Sequence, residues 1–158
     1  MRLALFQPDI PGNAGAIMRT AVCLGISVDI IEPCGFVLSD KQIRRAGMDY
    51  LEQLDLTNHS SWKAFQNSYL LGDGINTPKS RLVLLSTKAE NTYFDFSYYK
   101  DDILLVGQES AGVPQEVHSL ADARIRIPMK QNIRSLNVSA ALSMVLGEAL
   151  RQTNGFSN

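Results

Sequence analysis

The sequence predicts an α/β fold built on a mostly parallel sheet flanked by helices. Short apolar or β-branched runs alternate with helical patterns along the whole chain. Glycine, proline and asparagine stand at many of the junctions between them. A long apolar helix closes the chain. Taken in order, residues 2–7 read as a strand and 13–24 as a helix, with Asn13 as its N-cap and Gly25 as its terminator. Residues 27–31 read as a strand, 39–46 as a short helix stopped by Gly47, and 51–57 as a strand. A helix over 61–69, a buried strand over 81–87 and a strand over 102–106 follow. Next come a glycine-bearing loop, a short helix with Pro114 in its first turn, and a last strand over 124–127.

The final helix is read over 135–152. Val138, Ala141, Leu142, Val145, Leu146 and Ala149 share one face at helical spacing. Leu136, Ala140, Met144 and Leu150 add apolar surface on other faces, which predicts a subunit interface and hence a homodimer.

The 158 residues suit one domain, 1–158, with a single sizeable core. Hydrophobic residues make up 45% and charged residues 20%, an ordinary globular profile. The amino terminus lacks an apolar core long enough for a secretory signal, and no run is long enough to cross a bilayer. A cytoplasmic protein without membrane contact is therefore expected. Cys23 and Cys34 show no metal-ligand spacing and no metal is expected; Cys23 reads as a helix core residue and Cys34 as a loop thiol. A net charge of −1 and a pI near 6.1 argue against binding long nucleic acid by bulk charge, while leaving room for a local basic patch.

Three loops, each following a strand, carry unusual residues, and ligands collect at strand carboxyl ends in such sheets. The first runs Pro8-Asp9-Ile10-Pro11-Gly12-Asn13-Ala14-Gly15-Ala16-Ile17-Met18-Arg19. A dinucleotide fingerprint fails there, since positions 14 and 17 are Ala and Ile. Arg19 lies one turn beyond Gly15, and spacing alone leaves it open between a solvated charge and a group aimed at a ligand. The second loop, Gly107-Gln108-Glu109-Ser110-Ala111-Gly112-Val113-Pro114, is not a nucleophile elbow, because the serine comes one residue late. Its glycines suggest close backbone approach to a ligand, or simply a tight turn. No histidine falls in the three loops; His59 and His118 lie in segments without other site-like residues, which disfavours Ser/His hydrolysis. The third loop runs from Ile125-Arg126-Ile127-Pro128-Met129 through Arg134 to Ser135-Leu136-Asn137-Val138-Ser139, where Ser135 or Asn137 can cap the final helix.

Together, in this order, the loops resemble the three motifs of the SPOUT RNA methyltransferases. Asn13-x-Gly15-x-Ile17-x-Arg19 resembles the first, Gly107-x-Glu109-x-x-Gly112-Val113-Pro114 the second, and Ile127-Pro128-Met129 with Ser135–Ser139 the third. Ile31-Glu32-Pro33-Cys34-Gly35-Phe36 and Arg44-Arg45-Ala46-Gly47-Met48-Asp49-Tyr50 resemble the minimal subgroup that methylates the tRNA wobble ribose. The likeness runs from about Leu3 to Gln152; one departure is Gly147 before Glu148, where that subgroup often has an aromatic.

The resemblance implies a C-terminal trefoil knot, a homodimer, and S-adenosylmethionine as cofactor. It implies transfer of a methyl group to a ribose 2′-hydroxyl of tRNA, with the wobble cytidine or uridine at position 34 as the expected target. Ribosomal RNA, another tRNA position, or a non-catalytic RNA-binding module stay open as alternatives. By position, Leu85, Gly107, Gly112, Ile127, Met129, Ser135 and Leu136 are implied to surround the cofactor. Arg19 is implied to act at the acceptor oxygen, oriented with the ribose by Asn13, Glu109 and Asn137. Arginine is a poor base, so either transient proton loss or charge stabilisation of the developing alkoxide is open, with the second favoured physically. Lys41, Arg44, Arg45 and Arg134 are candidate RNA phosphate contacts.

Overall fold

The computed structural model of the protein describes residues 1–37, 52–71 and 79–156. The chain begins with β1 (Arg2–Phe6), α1 (Pro11–Leu24), β2 (Ser27–Ile31), β3 (Leu56–His59) and α2 (Trp62–Tyr69). It continues with β4 (Leu82–Leu85), β5 (Asn91–Thr92), β6 (Ile103–Val106), α3 (Gln115–Leu120), β7 (Ala123–Arg126) and α4 (Val138–Thr153). Among the described residues the strands form one seven-stranded sheet in the order β3-β2-β1-β6-β4-β7-β5, with every neighbouring pair parallel. This is the α/β architecture expected, with helices on both faces.

Alternation along the strands builds the two layers. Leu3 and Leu5 of β1 pack on one face with Ile17, Met18 and Ala21 of α1 and Leu142, Val145 and Leu146 of α4. Ala4 and Phe6 point the other way, toward Phe65 of α2 and Val117 of α3. The strands buried on both faces read as continuous apolar runs for this reason. Buried charge is paired: Asp29 accepts from Arg2 Nε at 2.7 Å and Tyr69 Oη at 3.1 Å, and its Oδ1 lies 2.8 Å from His59 Nε2. Asp102 likewise holds Arg81 at 2.6 Å.

Several expectations need correction. Helix α1 starts at Pro11, so Asn13 lies inside its first turn and is not the N-cap, which is Ile10. Proline's fixed φ and missing N–H suit the first helical position, and that signal outweighs asparagine's capping preference. Gly25 ends the helix as expected, at φ +66°. The strand read over 51–57 is instead β3, beginning at Leu56, and the two-residue β5 was not anticipated. Cys23 is exposed, off the buried stripe of α1, rather than a core residue. Helix α4 begins at Val138 and buries Leu150 in the chain's own core, while Leu136 and Met144 stay 42% and 43% exposed. The helix read over 39–46 lies outside the described residues.

Candidate active site

Strands β6, β4 and β7 are neighbours, and their carboxyl ends open into a cavity of about 560 Å³. Leu84, Leu85, Val106, Ile125 and Ile127 give it apolar walls; the loops after these strands line it further, joined by Ile10 and Asn13 beyond β1, His118 of α3 and the start of α4. The second loop is folded back on itself: Gln108 N–H donates to Gly112 O at 2.9 Å and Gly112 N–H to Gln108 O at 2.8 Å. Gly112 takes φ +70°, and a Cβ on Gly107 would lie 2.5 Å from the Gly112 carbonyl carbon. Both glycines are thus required by backbone geometry, one through sterics and one through its dihedral.

A hydrogen-bonded relay along the cavity rim ties the three loops together. Asn13 Nδ2 donates to Glu109 Oε1 at 2.9 Å, and Asn137 Nδ2 donates to Asn13 Oδ1 at 2.8 Å. Asn137 Oδ1 then accepts from the Ser139 and Ala140 amides at 2.9 and 3.2 Å, capping α4. The relay has a direction. A carboxylate that accepts stands at one end and helix amides that donate at the other, so neither asparagine amide can flip without placing two donors or two acceptors face to face. Burial pushes the Glu109 carboxyl above its ordinary range, helped by the neighbouring Asp9. Shared hydrogen bonding with Glu109, and contacts from Ser110, hold Asp9 down at about 2. Of this pair, Glu109 keeps its proton to the higher pH.

Leu85, Gly107, Gly112, Ile127, Met129, Ser135 and Leu136 all line the cavity, as do Asn13, Glu109 and Asn137. Arg19 does not. It sits exposed on α1, whereas Gly15, one turn before it, is buried. Arg134 is exposed in the loop before α4; Lys41, Arg44 and Arg45 lie outside the described residues. The sequence reading missed Ser86, Thr87 and Lys88, which follow β4 into the cavity, and gave no role to Arg126, the last residue of β7, though it lay in the third loop. The available signal was their place at the carboxyl ends of strands, blurred for Ser86 and Thr87 because the strand was read through residue 87. It also set His118 aside, yet His118 lines the cavity. Arg124 Nε lies 3.2 Å from its Nδ1, which therefore accepts, and its Nε2 is buried without a partner among the described residues. Ser110 hydrogen-bonds Asp9, not a histidine.

A sequence profile of the SpoU rRNA Methylase family matches residues 1–147. The chain belongs to this family. One relative, from Beijerinckia indica subsp. indica, is 54% identical over 98% of this chain and 93% of its own length, and is named tRNA (cytidine(34)-2′-O)-methyltransferase. A relative of the same name from Escherichia coli (strain K12) is 38% identical over 96% of this chain and 93% of its own. A solved structure described as giving insight into the 2-OH methylation of C/U34 on tRNA superposes with a TM-score of 0.88 and 38% identity, covering 98% of this chain and 96% of that one. The SpoU methyltransferase AviRb from Streptomyces viridochromogenes, solved in complex with the cofactor AdoMet, superposes with a TM-score of 0.87 and 27% identity over 96% of this chain and 60% of that one.

Proposed function

We propose that the protein transfers a methyl group from S-adenosylmethionine to the ribose 2′-hydroxyl of the wobble cytidine or uridine, position 34, of tRNA. The observation that carries this reading is the convergence of the three motif loops on one cavity, in a chain 54% identical nearly end to end to a relative of that name. The cavity fits the cofactor: its volume lies within the roughly 300–1,000 Å³ of small-molecule sites, and apolar walls with backbone amides suit an adenosine flanked by polar groups. Leu85, Ile127 and Leu136 would enclose the base, with Gly107, Gly112, Met129 and Ser135 around the remainder.

Bound there, S-adenosylmethionine supplies an electrophilic methyl for an in-line displacement that needs no metal. The chain's own work is to hold the 2′-oxygen in line and ease the loss of its proton. The Glu109–Asn13–Asn137 relay presents a fixed set of polar groups on the rim where the ribose enters. Arg19 stabilises the developing alkoxide as a permanent cation. Six residues of helix separate it from Asn13, about 9 Å of rise, so its approach depends on the docked RNA or on a second subunit. Exposed Leu136, Ala140 and Met144 support a homodimer built on α4. We read the loop before α4, returning past the other two at the cavity, as the trefoil knot expected of the fold. Among the described residues no helix is long and apolar enough to cross a membrane, which agrees with a cytoplasmic enzyme. Arg134, with Lys41, Arg44 and Arg45, is assigned to tRNA phosphates.

The test is methyl incorporation into bulk tRNA followed by nuclease mapping. Label at the 2′-oxygen of nucleotide 34 is the expected result. Label confined to ribosomal RNA, or cofactor binding without transfer to any RNA, overturns the assignment.

A further inference from the structure

Asp9 has no part in the relay as such, yet it holds the relay's acidic end from three directions. Its Oδ1 accepts from the Glu109 backbone N–H at 3.0 Å, and its Oδ2 accepts from the Ser110 hydroxyl. Its own backbone N–H donates to Glu109 Oε2 at 3.1 Å. This is a reciprocal exchange between residues a hundred positions apart: each residue's amide is held by the other's carboxyl. Glu109 therefore has one carboxyl oxygen fixed by Asp9 and the other free to accept from Asn13. With Oε2 held by the Asp9 amide, the carboxyl cannot turn away from Asn13 without breaking a bond.

Asp9 is itself seated. Gly35 N–H donates to Pro8 O at 2.9 Å, drawing the turn after β2 against residues 8 and 9. A Cβ on Gly35 would fall 2.9 Å from both Cα and Cβ of Asp9. Contacts that short are not made by real methyl groups, so any side chain at position 35 must push Asp9 off its seat. Gly35 is thus required by close approach.

We propose that Asp9 is a positioning residue: seated on Gly35, it clamps the Glu109 loop so that the Glu109–Asn13–Asn137 relay keeps one orientation at the cavity rim. The activity arm of this inference rests on the methyltransferase reading; the structural arm does not. The loop's internal Gln108–Gly112 bridge is independent of Asp9, so losing the clamp disorients Glu109 while leaving the cofactor cavity in place. The clamp works through hydrogen-bond geometry. Asparagine at position 9 can still accept from the Glu109 amide through Oδ1 and donate to a rotated Ser110 hydroxyl through Nδ2, whereas alanine can do neither.

The experiment compares Asp9→Ala, Asp9→Asn, Gly35→Ala and the Asp9→Ala/Gly35→Ala double variant in the full-length protein. Asp9→Ala and Gly35→Ala are each expected to lower kcat for tRNA methylation by about tenfold or more, as small misplacements at a reacting centre do. The Michaelis constant for tRNA and the calorimetric affinity for S-adenosylhomocysteine should stay within about threefold, because only the transition-state geometry is lost. Asp9→Asn should recover most of the rate. The double variant should be no worse than the worse single one, since both remove the same clamp. Additive losses, an unaffected Asp9→Ala, or an Asp9→Asn as inactive as Asp9→Ala would overturn the proposal. Hydrogen exchange of the Glu109 amide supplies a readout needing no RNA and, in the unaltered protein, no variant. It should be protected, and about tenfold or more less so in Asp9→Ala. A freely exchanging Glu109 amide in the unaltered protein also overturns the clamp. Slow exchange with no tRNA methylation would instead sink the functional reading and leave the clamp standing.

Discussion

Replacing Gly107 by alanine puts a methyl group where backbone already lies. The new Cβ would sit 2.5 Å from the Gly112 carbonyl carbon, 2.6 Å from its oxygen and 2.9 Å from its Cα. None of these atoms can rotate aside, and the paired Gln108–Gly112 hydrogen bonds at 2.9 and 2.8 Å fix their distance. Relief means opening that pair, at about 1 kcal/mol for each bond, or accepting overpacking of about 1–3 kcal/mol. A cost near 2–3 kcal/mol corresponds to a melting temperature lower by about 4–12 °C in a chain of this length. Because residues 107–109 and 111–113 all line the cavity, part of that cost falls on ligand binding, and each 1.4 kcal/mol so spent weakens affinity about tenfold. Gly112 offers the control. A Cβ there meets no atom within 4 Å, so Gly112→Ala costs only its φ of +70°, about 1–2 kcal/mol, and Gly112→Asn less. Thermal unfolding and calorimetric titration with S-adenosylhomocysteine should rank the variants Gly107→Ala, Gly112→Ala, Gly112→Asn, from most to least impaired. A Gly107→Ala protein that melts and binds like the parent, or a Gly112→Ala that is the worse of the two, refutes the steric argument.

Arg19→Ala should abolish methyl transfer while leaving cofactor affinity nearly unchanged, because the guanidinium lies outside the cavity; activity retained within a few-fold removes Arg19 from the mechanism. Met144→Glu, on the exposed face of α4, should drive a dimer toward monomer in sedimentation at micromolar concentration, and a parent protein that already sediments as a monomer refutes the interface. The Asp9 carboxyl is held at about 2, below its unfolded value of about 3.9. Its contribution to stability is therefore present above pH 4 and lost as pH falls toward 2. Asp9→Ala should flatten that acid limb, read by thermal unfolding across pH; an unchanged limb counts against a clamped carboxylate.

The layers of the fold were legible because burial on both faces leaves a plain mark. Ile103–Val106 and Leu82–Leu85 carry no polar residue, and strands of that kind belong inside a parallel sheet. What stayed illegible was set by contacts distant in sequence. Asn91–Thr92 forms a strand only because the edge of β7 offers it partners, and nothing in two polar residues announces that. Sequence order likewise gives no hint that β6 lies between β1 and β4. Cys23 and Leu150 were misplaced for a related reason. Helical periodicity tells which residues share a face, but not how far round the helix the core extends.

The site divides along the same line. Glycines at 107 and 112 and the asparagines at 13 and 137 were conspicuous, since each is a costly choice unless the backbone or a partner group demands it. Asp9 and His118 were not. An acidic residue in a polar loop and a histidine on a short surface helix have ordinary explanations, and what sets them apart is a partner found only in three dimensions. Asp9 meets Glu109 across a hundred residues, and His118 meets both Arg124 and the cavity. The two kinds of residue also differ in what a substitution reveals. Changing Asn137 removes a helix cap together with a relay member, so lost activity there cannot be told from a frayed α4. Asp9 caps no helix and does not itself line the cavity; it acts there through Glu109. The residue least visible in the sequence is therefore the one that most cleanly separates the orientation of the relay from the integrity of the fold.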